Sequence, residues 1–125
     1  MGLREKASTL KKLQNHLIGV EQGDQLLFSD FEDHGPMWAG KGARRSRTTV
    51  TFSEPFRKPP TVHVALCMID MDHQTNQRMD LRAESVTATD FEIVLRTWGD
   101  TRIARLRANW MAIGEVTHED DWDVP

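Results

Sequence analysis

Residues 91–114, FEIVLRTWGDTRIARLRANWMAIG, carry two long alternating runs on either side of a short polar turn. Side chains along a strand alternate between its two faces, so Phe91, Ile93, Leu95 and Thr97 share one face. Glu92, Val94, Arg96 and Trp98 share the other. In the second run Leu106, Ala108, Trp110 and Ala112 fall together, while Arg105, Arg107 and Asn109 point the opposite way. Trp98 stands beside the Gly99-Asp100 turn signal. One face of such a pair is core, and the other is basic and must meet water, a partner chain or an anion. Ile103 is out of phase with Leu106, which predicts a bulge or register break just after the turn. The segment therefore belongs to an antiparallel β-sandwich that displays a site at a strand end.

The rest of the chain is consistent with that architecture. At 125 residues and 38% hydrophobic content there is material for one compact core and no second domain. Residues 1–18 read as a short N-terminal α-helix: Leu3, Leu10 and Leu17 are spaced by seven, Leu13 lies between them, and Gly19 would end it. Two heptads with Lys6 at a core position are too little for a free-standing coiled coil, so the helix packs on its own domain or joins equivalents in an oligomer. Strands are expected over 24–29, 48–53, 61–71, 77–87, 91–98 and 101–116, giving a six-stranded antiparallel β-sandwich over residues 19–116. Residues 30–47, with Gly35, Pro36, Gly40 and Gly42, read as a long loop. The acidic tail, 117–125, is expected to fray or to dock through Trp122.

Several classes of chemistry find little support. A net charge of -3 argues against a nucleic-acid partner, although basic residues cluster at 44–58 and 102–107. No apolar stretch is long enough for membrane insertion and no signal-peptide pattern opens the chain, so a cytoplasmic location is the default, with release or an extracellular assembly as the other expectation. Cys67, the only cysteine, lies in the apolar run VHVALCMI and reads as a buried, inert thiol. Asp70, Asp72 and Asn76 resemble cation ligands but lack the spacing, the central glycine and the closing glutamate of a calcium loop, so a solvated hairpin loop is expected. The five histidines follow no metal-ligand spacing. No catalytic residues, metal or cofactor are expected, because neither a carboxylate pair nor a nucleophile setting stands out from surface charge.

A binding surface remains. Arg78 opens one strand and Trp98 closes another, so both can project into one rim. A guanidinium offers a fork of donors to vicinal hydroxyls or carboxylates, and an indole face suits the C–H side of a sugar ring. The plain alternative is that Trp98 packs on the next strand and Arg78 pairs with Asp80 or Asp100.

At these residues the chain resembles the H-type lectins. The resemblance rests on Val50-Thr51-Phe52, Pro55-Phe56, Pro59-Pro60-Thr61-Val62, Asp70, Asn76-Gln77-Arg78, Ser85-Val86, Phe91, Thr97-Trp98 with Thr101, and Trp110-Met111-Ala112-Ile113, in that order over about residues 19–114. It implies a homotrimer with galactose or N-acetylgalactosamine held in clefts between protomers, where parallel weak sites gain avidity on a dense glycan surface, as in cell adhesion. Family sugar-contacting positions fall on Arg78 and Trp98, and the family's loop glycine and aspartate fall nearest Gly40-Lys41. Departures occur at Gly99, Ala104 and Lys41, which stand where the family has His, Tyr and Asp. Asp33 or Asp100 could supply the missing acceptor, and Lys41 with the basic strand face favours acidic glycans. The rival expectation keeps the fold without the sugar: a trimeric assembly or attachment module, as in a phage-tail-like or surface appendage, with Arg105 and Arg107 against another protein.

Overall fold

The computed structural model describes residues 8–118. Six strands, β1 (Ile18–Ser29), β2 (Arg44–Thr51), β3 (Thr61–Met71), β4 (Asp80–Glu84), β5 (Asp90–Thr97) and β6 (Ile103–Glu115), form two antiparallel sheets, with one helical turn, α1 (Pro36–Ala39), between β1 and β2. One sheet has the order β1-β6-β3 and the other β2-β5-β4. The two alternating runs around the Gly99-Asp100 turn thus become the central strands of opposite sheets. This explains their apolar character, since a central strand has neighbours on both edges and a covered inner face.

The inner faces are those read from the sequence. Phe91, Ile93, Leu95, Leu106, Ala108 and Ala112 are fully buried, and Trp110 nearly so. Complete burial of a large apolar side chain stabilises by about 1.5–3 kcal/mol. Phe52, Phe56, Phe91 and Trp110 meet as an aromatic cluster, with Phe52 to Phe56 at 5.0 Å and Phe91 to Trp110 at 5.5 Å between centroids, both edge to face. Much of the motif set is therefore core rather than site. The register break expected after the turn is present: Asp70 faces Arg105 but Met71 faces Ile103, leaving Ala104 as an extra residue of β6. The bulge turns both Ile103 and Leu106 inward, each fully buried.

Three expectations are corrected. Residues 8–17 are not helical. Leu10 is 82% exposed, against 39% for Leu13 and 38% for Leu17, so the central heptad leucine covers no apolar face, and a short helix without tertiary packing is marginal in water. Asn15 instead ties the segment to the end of β6, its backbone N–H donating to Glu115 Oε1 at 2.9 Å and its Nδ2 to the Val116 carbonyl at 2.7 Å. Residues 1–7 and the tail from residue 119, Trp122 included, lie outside the described residues. Cys67 is exposed, not buried. It is the extra residue of a second bulge, where Leu66 faces Ala108 and Met68 faces Arg107, and it follows the alternation in which Val62, Val64 and Leu66 turn inward and Thr61 and His63 outward. Strand extents also differ: β1 starts at Ile18 rather than residue 24, and β4 is only Asp80–Glu84.

Candidate functional site

The topology gathers three connections at one end of the sandwich: residues 30–43 between β1 and β2, 72–79 between β3 and β4, and 98–102 between β5 and β6. All five expected site residues lie in them. Gly40 and Lys41 come from the first, Arg78 from the second, and Trp98 and Asp100 from the third.

Two buried threonines fasten the second connection to the third. Thr101 Oγ1 donates to the Asn76 carbonyl at 2.7 Å and accepts from the Arg78 N–H at 3.2 Å, and Thr97 Oγ1 donates to the Arg78 carbonyl at 2.5 Å. Both are almost fully buried, so these bonds are shielded from water. The fixed backbone aims the Arg78 side chain at Asp100, with Nη1 3.1 Å from Oδ1. Asn76 joins the same carboxylate through its Nδ2 at 3.1 Å and its backbone N–H at 3.4 Å. These hydrogen bonds from Asn76, with the charge of Arg78 adding less, hold the Asp100 carboxyl below the ordinary carboxylate range. Arg78 and Asp100 together present half-exposed donors and acceptors in one fixed cluster, which is what hydroxyl recognition requires.

Gly99 makes this arrangement possible. Its φ is +70°, and an added Cβ would stand 2.9 Å from Arg78 Nη1. A side chain at this position would be strained by the backbone and would require the Arg78 guanidinium to shift from its place beside Asp100.

The first connection is latched to the third by Arg44. Its Nη2 donates to the Gly99 carbonyl at 3.2 Å, its Nε to the Gly42 carbonyl at 2.9 Å, and its Nη1 to the carbonyls of Pro36 and Met37. The Gly42 N–H also donates to the Gly99 carbonyl at 2.9 Å. Partial burial lowers the Arg44 pKa. Gly40 closes α1 through its N–H to the Pro36 carbonyl, and Lys41 beside it is exposed. Trp98, one residue past β5, is 45% exposed and opens onto a groove of about 410 Å³ lined by Ala43, Arg44, Arg45, Asp80, Arg96 and Thr97. The indole therefore faces solvent, while Arg78 does make the Asp100 pairing of the plain alternative.

The residues that resembled cation ligands have separate duties. Asp70 pairs with Arg105, Asp72 accepts from the Gln74 N–H and from Arg102, and Asn76 serves Asp100. Among the described residues no group of three or more His, Cys, Asp and Glu is placed to hold a metal ion. No described helix is long and apolar enough to cross a membrane.

Sequence reasoning missed Arg44, Trp38 and Arg102. The Arg102 guanidinium lies 4.1 Å over the Trp38 ring and its Nε donates to the Trp38 carbonyl, while Phe31 meets the same ring edge to face at 4.9 Å. A tryptophan inside a glycine-rich polar stretch was the available signal, because a loop that carries one has something to pack.

Comparison with known proteins supplies the family. The H-type lectin domain matches residues 47–113. A protein named ATP synthase subunits region ORF 7 from Fuscovulum blasticum is 57% identical over 86% of this chain and 93% of its own length. A discoidin-1 chain from Dictyostelium discoideum is 30% identical over 64% of this chain and 32% of its own length. Recombinant discoidin II of the same organism superposes with a TM-score of 0.70 at 20% identity, over 84% of this chain and 40% of that one, which shows a shared fold. The chain thus spans less than half of the discoidins it matches, and a family match across both central strands and the Arg78 and Trp98 positions makes it a member of the H-type lectin domain family.

Proposed function

We propose that the chain is a non-enzymatic lectin that binds galactose- or N-acetylgalactosamine-type or acidic glycans in clefts between protomers of a homotrimer. The observation that carries this reading is the exposed Trp98 on the same short connection as Asp100, whose carboxylate is hydrogen-bonded by Arg78 and Asn76, so that one end of the sandwich offers an apolar ring and fixed donors and acceptors. Lys41, exposed on the first connection, adds a cation at the same end of the sandwich. Oligomer formation is supported by Val20, Leu26 and Met111, which stand 38–61% exposed on β1 and β6. In the rival reading, an assembly module, Arg105 and Arg107 meet another protein. Both are exposed, and Arg105 is already engaged by Asp70 at 3.1 Å.

A glycan array on the purified protein tests the proposal, with Arg78→Ala as control and mass from light scattering. Retention in the parent and its loss in a variant of unchanged mass support the lectin. A well-folded oligomer that retains no glycan moves the weight to the assembly module, and dissociation by Arg78→Ala would make Arg78 an interface residue.

A further inference from the structure

The outer face of the β2-β5-β4 sheet is a lattice of charge in which one member has no counterpart. Asp80, Arg82 and Glu84 on β4 face Arg96, Val94 and Glu92 on β5, and Arg45 and Arg47 on β2 face Arg96 and Val94. Three carboxylates take three guanidiniums: Arg47 meets Glu92 at 3.0 Å, Arg82 meets Asp80 at 3.0 Å, and Arg96 binds both oxygens of Glu84. Arg45 is left over. It is exposed, and among the described residues it has no hydrogen-bonding or charged partner. It also stands directly across from Arg96 in an antiparallel pair, an arrangement of like charges that destabilises the free protein.

That pair lines the groove beside Trp98. The other charged lining residues are Arg44, whose guanidinium faces only backbone carbonyls, and Asp80, which Arg82 occupies. Three arginines and one already paired aspartate leave the groove with excess positive charge. The lining thus combines an aromatic face with a forked donor that lacks an acceptor.

From this geometry we infer that the groove is an anion subsite of the lectin, in which Arg45, backed by the charge of Arg96, binds the carboxylate of an acidic saccharide whose ring lies on Trp98. The inference rests on the lectin reading and narrows it to uronic-acid-type glycans. A carboxylate matches the planar guanidinium fork and relieves the repulsion between Arg45 and Arg96, whereas a neutral sugar does neither. Glu84 holds Arg96 in position, so Arg45 is the residue free to reach the ligand.

The test compares trigalacturonic acid with its methyl ester, which keeps the rings and removes the charge, by calorimetric titration of the full chain. The parent should bind the acid about tenfold tighter than the ester, the size expected of one charge-assisted contact. The preference should shrink in high salt. Arg45→Ala should lose the preference while still binding the ester, and because Arg45 has no partner in the fold, its thermal midpoint should be unchanged or higher. Equal binding of acid and ester by the parent, or a preference that survives in Arg45→Ala, overturns the inference and leaves the lectin reading standing. Binding of neither compound, together with an array that retains no glycan, overturns both.

Discussion

The two sheets of this sandwich share a core but meet their surroundings in opposite ways. The outer face of β2-β5-β4 is a lattice of arginines and carboxylates around Val94, which is fully buried even though it faces outward, because long side chains flank it. The outer face of β1-β6-β3 leaves Val20, Leu26 and Met111 open, with a hollow of about 450 Å³ around His63 and Asn109 at its centre. Charge that is already paired keeps water and resists burial, so the first face suits solvent and charged ligands. Apolar surface without cover gains from association, so the second suits another protomer. The proposed glycan rim lies at the end where the loops of both sheets meet.

The core that both sheets depend on sets the largest effect. Phe91→Ala should cost about 3–5 kcal/mol and remove the distinction between the faces altogether, as read from the midpoint of denaturant unfolding. Next comes the association face. Met111→Asp should dissociate the proposed trimer in light scattering with little change in protomer stability, since the side chain is exposed; an unchanged mass would place the interface elsewhere. The smallest effect belongs to ionised pairs at the rim and on the lattice. The Asp100 carboxyl is held below the ordinary range first by Asn76, and that of Glu84 first by its hydrogen bond from Arg96. A depressed folded-state pKa contributes stability that is full above the ordinary carboxylate pKa and is lost as pH falls through the lowered value. The stability difference between the parent and Asp100→Asn should therefore stay constant from neutral pH down to about pH 5 and shrink only below about pH 4. A difference that already fades near pH 6 would mean another group controls the rim.

Legibility in the sequence followed how local each signal was. The strand expected at 61–71 is β3 to the residue, and the alternations of β5 and β6 gave their inner faces correctly, because period two needs only neighbours along the chain. The start of β1 was missed because Gly19 read as the end of a helix and the strand was expected only from residue 24. Gly23 sits in the strand because the Trp110 ring fills the space of its absent side chain, with a Cβ there only 2.9 Å from the indole. The N-terminal helix failed for the converse reason: its leucine spacing was real, but Leu10 stands 82% exposed and Asn15 ties the segment to the end of β6 instead. Cys67 was misplaced because its apolar neighbours outweighed the period of β3, which sets Val62, Val64 and Leu66 inward and leaves Cys67 on the outer face. The candidate residues of the rim were named through the spacing of a family pattern, while their wiring was not. Nothing near residue 44 announces that its guanidinium will hold the Gly99 carbonyl 55 residues away.

The sequence by itself determined the all-β class, the two central strands with their buried faces, the bulge after the turn, and Arg78 and Trp98 as the residues to watch. Each is a property of periodicity, turn chemistry or ordered spacing along one stretch of chain. Only the tertiary structure decided that Asp100 and Asn76 lock Arg78, that Trp98 faces solvent, and that Arg45 is left without a carboxylate beside it. Those outcomes depend on which strands become neighbours and in what register, and the chain settles that only when the two sheets close over their common core.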